Sequence, residues 1–131
     1  MKSRLDILED EMLRREEYES ILQSCMRSIL ELLKTREKKV DNIYVIYCDS
    51  KSKIIISPYP PSNNFHNCFE GCDSFTFAFH DENECRAVFN KDIISWLRKA
   101  YPYCKLFSSS CRIHEFDSET VLVFHYNINN G

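Results

Sequence analysis

The amino-acid sequence predicts an α+β fold, in which a long N-terminal coiled-coil helix leads into an antiparallel β-sheet with a helix packed on one face. Three observations carry this reading. Charge is concentrated at the start, where residues 1–41 hold nine of the 17 Lys+Arg and ten of the 20 Asp+Glu. That stretch contains neither Gly nor Pro, whereas all four prolines and both glycines follow it. From Asn42 onward, short β-branched and aromatic runs alternate with turn residues. The chain divides accordingly into an amphipathic helix at 1–40 and a globular head at 41–131.

Within the first segment, Leu5, Leu8, Met12, Leu22, Met26, Ile29 and Leu33 follow a 3-4 spacing that only Arg15 and Glu19 interrupt. Such spacing places one apolar seam along a helix and suits knobs-into-holes pairing. The helix is predicted from about Ser3 to about Lys39, a length of about 55 Å at 1.5 Å per residue. A head of 91 residues is too small to shield that ridge, and an isolated amphipathic helix is poorly stabilised. A second helix is therefore expected to cover it, and the seven seam residues are expected to form the interface of a homodimer. Between Leu5 and Met12 the seam is narrow and flanked by Glu9, Glu11 and Glu16. Between Tyr18 and Leu33 it broadens through Ile21, Cys25, Leu30 and Leu32, so this end is also expected to pack against the head. The alternative is one long helix folded back on its own domain.

In the head, Ile43–Tyr47 and Lys53–Ser57 read as a hairpin joined by Asp49–Ser52. The prolines at 58, 60 and 61 make the next stretch irregular. Ser74–Phe79 alternates, with Phe75, Phe77 and Phe79 on one face, and pairs through a turn at 80–83 with Cys85–Phe89. Asn90 is expected to cap a helix through Ile93, Ile94, Trp96, Leu97 and Ala100, which Pro102 limits. Residues 103–116 fit either helix or strand, and Thr120–Ile128 is a final strand.

Composition narrows the function classes. A net charge of -3 leaves no basic surplus for phosphates, so nucleic acid is not the expected partner. No apolar run approaches the roughly 18 residues needed to cross a bilayer, and no signal-peptide pattern opens the chain. A nuclear or cytoplasmic address follows as the expectation. Seven cysteines form an odd set in a chain with ample aliphatic residues, and most read as small buried apolar side chains.

The candidate chemistry is sparse. His66, Cys68, Cys72, His80 and Cys85 offer thiolate and imidazole donors of the kind zinc prefers, and His66, Cys68, Cys72 and Cys85 make an alternative metal set. Their spacing matches no standard zinc knuckle, so no metal or other cofactor is expected. A cysteine nucleophile would need a base and a thiolate-stabilising neighbour, which the sequence does not single out; a small cysteine-dependent enzyme is thus a second alternative to a non-enzymatic protein. Lys34, Arg36, Lys38 and Lys39 complement the C-terminal end of the helix dipole. Tyr59, Phe65 and Phe69 are large apolar residues in an irregular stretch and form a candidate partner-docking patch.

The strand-turn-strand at Ser74–Phe89 (SFTFAFHDENECRAVF) and the segment Asp92–Phe116 (DIISWLRKAYPYCKLFSSSCRIHEF) follow a coiled-coil helix. In that order they resemble the RWD-like heads of kinetochore coiled-coil proteins. The nearest likeness is to the C-terminal domain of the mitotic arrest deficient spindle checkpoint family. The resemblance implies a non-enzymatic, dimeric protein-docking module at chromosomes, engaging protein partners through both coil and head. The family's Arg-Leu-Lys triplet has no counterpart here, the nearest stretch being Met26-Arg-Ser-Ile-Leu30, so its kinase contact is not carried over.

Overall fold

The computed structural model describes residues 3–35, 42–61, 71–100, 105–116 and 119–129. Helix α1 spans Arg4–Thr35, about 48 Å at 1.5 Å per residue. A capping box opens it. The Ser3 amide donates to the Asp6 carboxylate at 3.2 Å, and the Asp6 amide returns a bond to the Ser3 hydroxyl at 3.2 Å. Positions 36–39, including three of the four basic residues expected at the helix end, lie outside the described residues.

Strands β1 (Asn42–Cys48) and β2 (Lys53–Ser57) form the expected hairpin around a single 3-10 turn at Asp49–Lys51. Ser52 closes the turn in the left-handed region, at φ 50°, with its amide bonded to the Asp49 carbonyl at 3.1 Å. Strand β3 (Asp73–Thr76) adds to β2. The chain then turns helical through α2 (Glu82–Ala87), a π-helical turn (Val88–Asp92) and α3 (Ile93–Ala100). Strands β4 (Lys105–Phe116) and β5 (Glu119–Asn129) complete an antiparallel sheet of order β3-β2-β1-β5-β4.

Three expectations need correction. Cys85–Phe89 is helix rather than strand, because Asp81 caps it: the Asp81 carboxylate accepts from the Glu84 amide at 2.8 Å. Asn90 is therefore no cap and lies inside the helical run. Third, the strand at 74–79 stops at Thr76. Phe77 and Phe79 still enter the core, but their amides bond to the Ser52 carbonyl (2.8 Å) and the Tyr47 hydroxyl (3.3 Å). The ambiguous stretch resolves as strand over Lys105–Phe116.

The main core lies between one sheet face and the helices. Ile43, Val45, Tyr47, Ile54, Ile56, Phe124 and Tyr126 meet Cys25 and Ile29 of α1 and Cys85, Val88, Phe89, Ile93, Ile94 and Leu97 of the second helical run. Phe77, Phe79, Phe89 and Phe124 form a chain of ring contacts with centroids 4.9 to 5.8 Å apart. The π-helical turn fits this core, since the Tyr126 hydroxyl donates to the Phe89 carbonyl within it. On the other face Ile46, Cys48, Ile55, Val121 and Val123 are buried as well, with Tyr44 and Cys72 packed beside them. The boundary at 40/41 separates α1 from β1 in sequence, yet the second half of α1 is part of the head's core.

Candidate docking face

The α1 helix leaves the head at Arg14. Its guanidinium lies over the Phe77 ring, 4.5 Å from the centroid, and forms an ion pair with Glu84 at the start of α2. One turn further, the Tyr18 hydroxyl donates to Asp92 at 2.5 Å. Burial, reinforced by that carboxylate, pushes the Tyr18 phenol well above its ordinary value, so it stays a donor across the physiological range. Ser28, buried, donates to Asp73 of β3 at 2.6 Å. Three polar ties thus fix α1 to β3 and to the start and middle of the second helical run.

Residues 4–13, about 15 Å of helix, project past these ties. Leu5 is 73% exposed, Met12 63%, Leu13 58% and Leu8 48%, and Ile7 is exposed too. The expected seam is therefore split. Leu22, Met26 and Leu33 are partly buried against the chain's own core, and Ile29 is 0% exposed. Ile29 is packed in its own chain's core and is not part of the open seam. Leu5, Leu8 and Met12 remain open. The cause is position along the helix: residues 4–13 lie beyond the Arg14 tie, and side chains on every side of them are exposed.

Between the projecting helix and the loop before α2 lies an open groove of about 1000 Å³. Ile7, Tyr18, Leu22 and His80 line it together with the carboxylates of Asp10, Glu11, Glu19 and Glu84 and the guanidiniums of Arg14 and Arg15. His80 donates its amide to Glu84 at 3.1 Å, which holds the carboxylate that pairs with Arg14. The groove joins apolar side chains to a net acidic lining, four carboxylates against two guanidiniums, and is open enough for a peptide or helix.

No protein family, curated protein or solved structure matches the chain.

The other expected site residues are dispersed. Tyr59 is exposed beside β2, its amide bonded to the Ser57 hydroxyl at 3.0 Å, while Phe65 and Phe69 lie outside the described residues. His66 and Cys68 also lie outside them. Cys72 packs against the second sheet face and Cys85 is buried in the core on the first, so the sheet separates two members of the alternative zinc set. Among the described residues no group of three His, Cys, Asp or Glu is placed to hold a metal. Burial pushes the Cys25 thiol up to about 12, and raises Cys85 and Cys111 too, which is the opposite of nucleophile activation. His125 is a half-buried strand residue stacked on Tyr44. No described helix is long and apolar enough to cross a membrane.

The sequence reading missed Arg14, Phe77, Glu84 and Asp92. Arg14 and Tyr18 are one turn apart and share a face, but nothing local ties them to carboxylates 70 and 74 residues away.

Proposed function

We propose that this chain is a non-enzymatic protein-docking module, whose head holds the first three turns of α1 clear of its own surface for pairing with another amphipathic helix. The exposure of Leu5, Leu8 and Met12 beyond the Arg14–Glu84 tie carries the reading. Fully burying such side chains is worth about 1.5–3 kcal/mol each, and their own head leaves them open. The raised thiols count against the cysteine-enzyme alternative, and the separation of Cys72 from Cys85 counts against the zinc alternative.

A photo-reactive residue at Met12 tests the proposal in cells that express the protein, with one at exposed Lys91 as control. The expected result is a discrete adduct from position 12 that Leu8→Glu abolishes and that position 91 does not give. Absence of any adduct from position 12 would defeat the reading. The likeness to kinetochore heads supports a setting in chromosome segregation, and the adduct's second component reads this directly. A kinetochore or checkpoint protein is expected there, and a partner from an unrelated process removes that setting while leaving docking intact.

A further inference from the structure

We infer that the projecting part of α1 and the groove beside it receive a basic amphipathic helix from a different protein rather than a second copy of this chain. The inference rests on the docking reading and adds the partner's chemistry.

Charge is the first argument. Between Asp6 and Glu19 the helix carries seven acidic and two basic residues, a net of -5. One of the two, Arg14, is already paired with Glu84. Written as a heptad with Leu5 at a and Leu8 at d, one flank of the stripe holds Glu9 and Glu16 at e. The other holds Arg4 and Glu11 at g. A parallel second copy sets Glu11 of one helix against Glu16 of the other, since g faces the following e, and Arg4 against Glu9 does no more than offset that repulsion. An antiparallel copy brings like flanks together, so acidic positions again meet. Either sense of self-pairing places carboxylate against carboxylate, which is destabilising. A partner with Lys or Arg at the facing positions turns each of these contacts into an attraction.

Length is the second argument. The continuous seam available to a second copy is Leu5, Leu8 and Met12, because Arg15 and Glu19 occupy the next two seam positions and Leu22 packs on the head. That is less than two heptads, short of the three or four that sustain a coiled coil. Nor does so short a contact approach the roughly 1,200 Å² of a stable interface. A heterologous helix is not bound to follow that seam. It can lie across Leu8 and Met12 and reach Ile7, Tyr18 and Leu22 in the groove, with its basic flank along Glu11 and Glu19.

The test uses the full chain and two labelled 21-residue peptides with Leu at every a and d position. One carries Lys at e and g, the other Glu, and a scrambled Lys peptide lacking the apolar stripe serves as control. Fluorescence anisotropy at low salt should show the Lys peptide binding at least ten-fold tighter than either other peptide. The preference should shrink as salt screens the acidic lining. Leu8→Glu with Met12→Glu should abolish binding, and Glu11→Lys with Glu19→Lys should reverse the preference; all four sites are exposed. Equal binding of Lys and Glu peptides, still lost in the Leu8/Met12 variant, overturns the basic partner and leaves docking standing. Binding that survives Leu8→Glu with Met12→Glu overturns docking itself. A dimer mass for the free chain in light scattering, lost in that same variant, would assign the face to a second copy and overturn the heterologous partner.

Discussion

Arg14 uses the two properties that distinguish guanidinium from ammonium: a flat face laid on Phe77 and an edge turned to Glu84. Both partners belong to the head, so one side chain fixes the angle at which α1 departs. Replacing it with Ala is expected to cost about 1–2 kcal/mol, by removing the cation–π contact and a partly buried ion pair. Arg14→Lys keeps the charge but not the plane, and should recover less than half of that loss in urea unfolding. The thiols make a second residue-level case. Cys25 and Cys85 are buried and held protonated, whereas Cys72 is partly exposed. Peptide mapping after brief alkylation at pH 7.5 should find Cys72 modified and Cys25 and Cys85 intact until denaturant is added. Native labelling of Cys85 would contradict its place in the core. His125 gives the pH dependence. Its Nε2 lies 2.8 Å from the Asn42 side-chain oxygen, and its ring stacks on Tyr44 at 4.5 Å. Burial first, then Arg112, lowers its pKa below the ordinary value. As pH falls through about 6.5 the unfolded chain takes up this proton before the folded one does. The stabilisation is therefore present above that pH and is lost as pH falls through the lowered folded value. The urea midpoint should drop between pH 7 and 5.5, and His125→Gln should lessen the drop.

At the scale of elements, α1 is two helices in function with one continuous ladder. Ile29→Ala opens a cavity in the core and should cost about 2–5 kcal/mol, whereas Met12→Ala, on the projecting turns, should stay within about 0.5 kcal/mol. Periodicity shows both halves as one seam because it cannot see how far along the helix the head reaches. The β1–β2 hairpin and β5 were legible because β-branched residues fill both faces of strands buried on both sides. Of the second helical run α3 was legible, but Glu82–Phe89 was not. Cys85, Val88 and Phe89 carry helical spacing, but the π-helical turn inserts a residue before Ile93 and Leu97, which breaks the period at Asn90–Asp92. The segment CRAVF then resembles a strand as closely as a helix. β4 gave no signal either, since its serine run lacks alternation, and the strand exists through its pairing with β5. The candidate face shows the same division: Leu5, Leu8 and Met12 are a local pattern, while Arg14, Phe77 and Glu84 meet only through the fold.

For the whole molecule, the consequence is that the head is incomplete without part of α1. Cys25 and Ile29 close the core over Val45, Ile54 and Ile56, and Ile21, Leu22, Met26, Leu32 and Leu33 pack at its margin. Two fully buried side chains alone contribute on the order of 3–6 kcal/mol by transfer. A small domain has only about 5–15 kcal/mol in total. A chain of residues 41–131 should therefore lack a cooperative unfolding transition and expose its apolar sheet face to a dye such as ANS. A chain of residues 13–131 removes the projecting turns but keeps Arg14, Tyr18, Ser28 and the whole core. It should unfold cooperatively with a midpoint close to that of the full chain, and it should fail to bind the Lys-flanked helix. The pair of truncations separates folding from docking along a single helix. If residues 41–131 fold alone, α1 is an appendage rather than a core element, and the split of its seam into a structural half and a docking half falls with it.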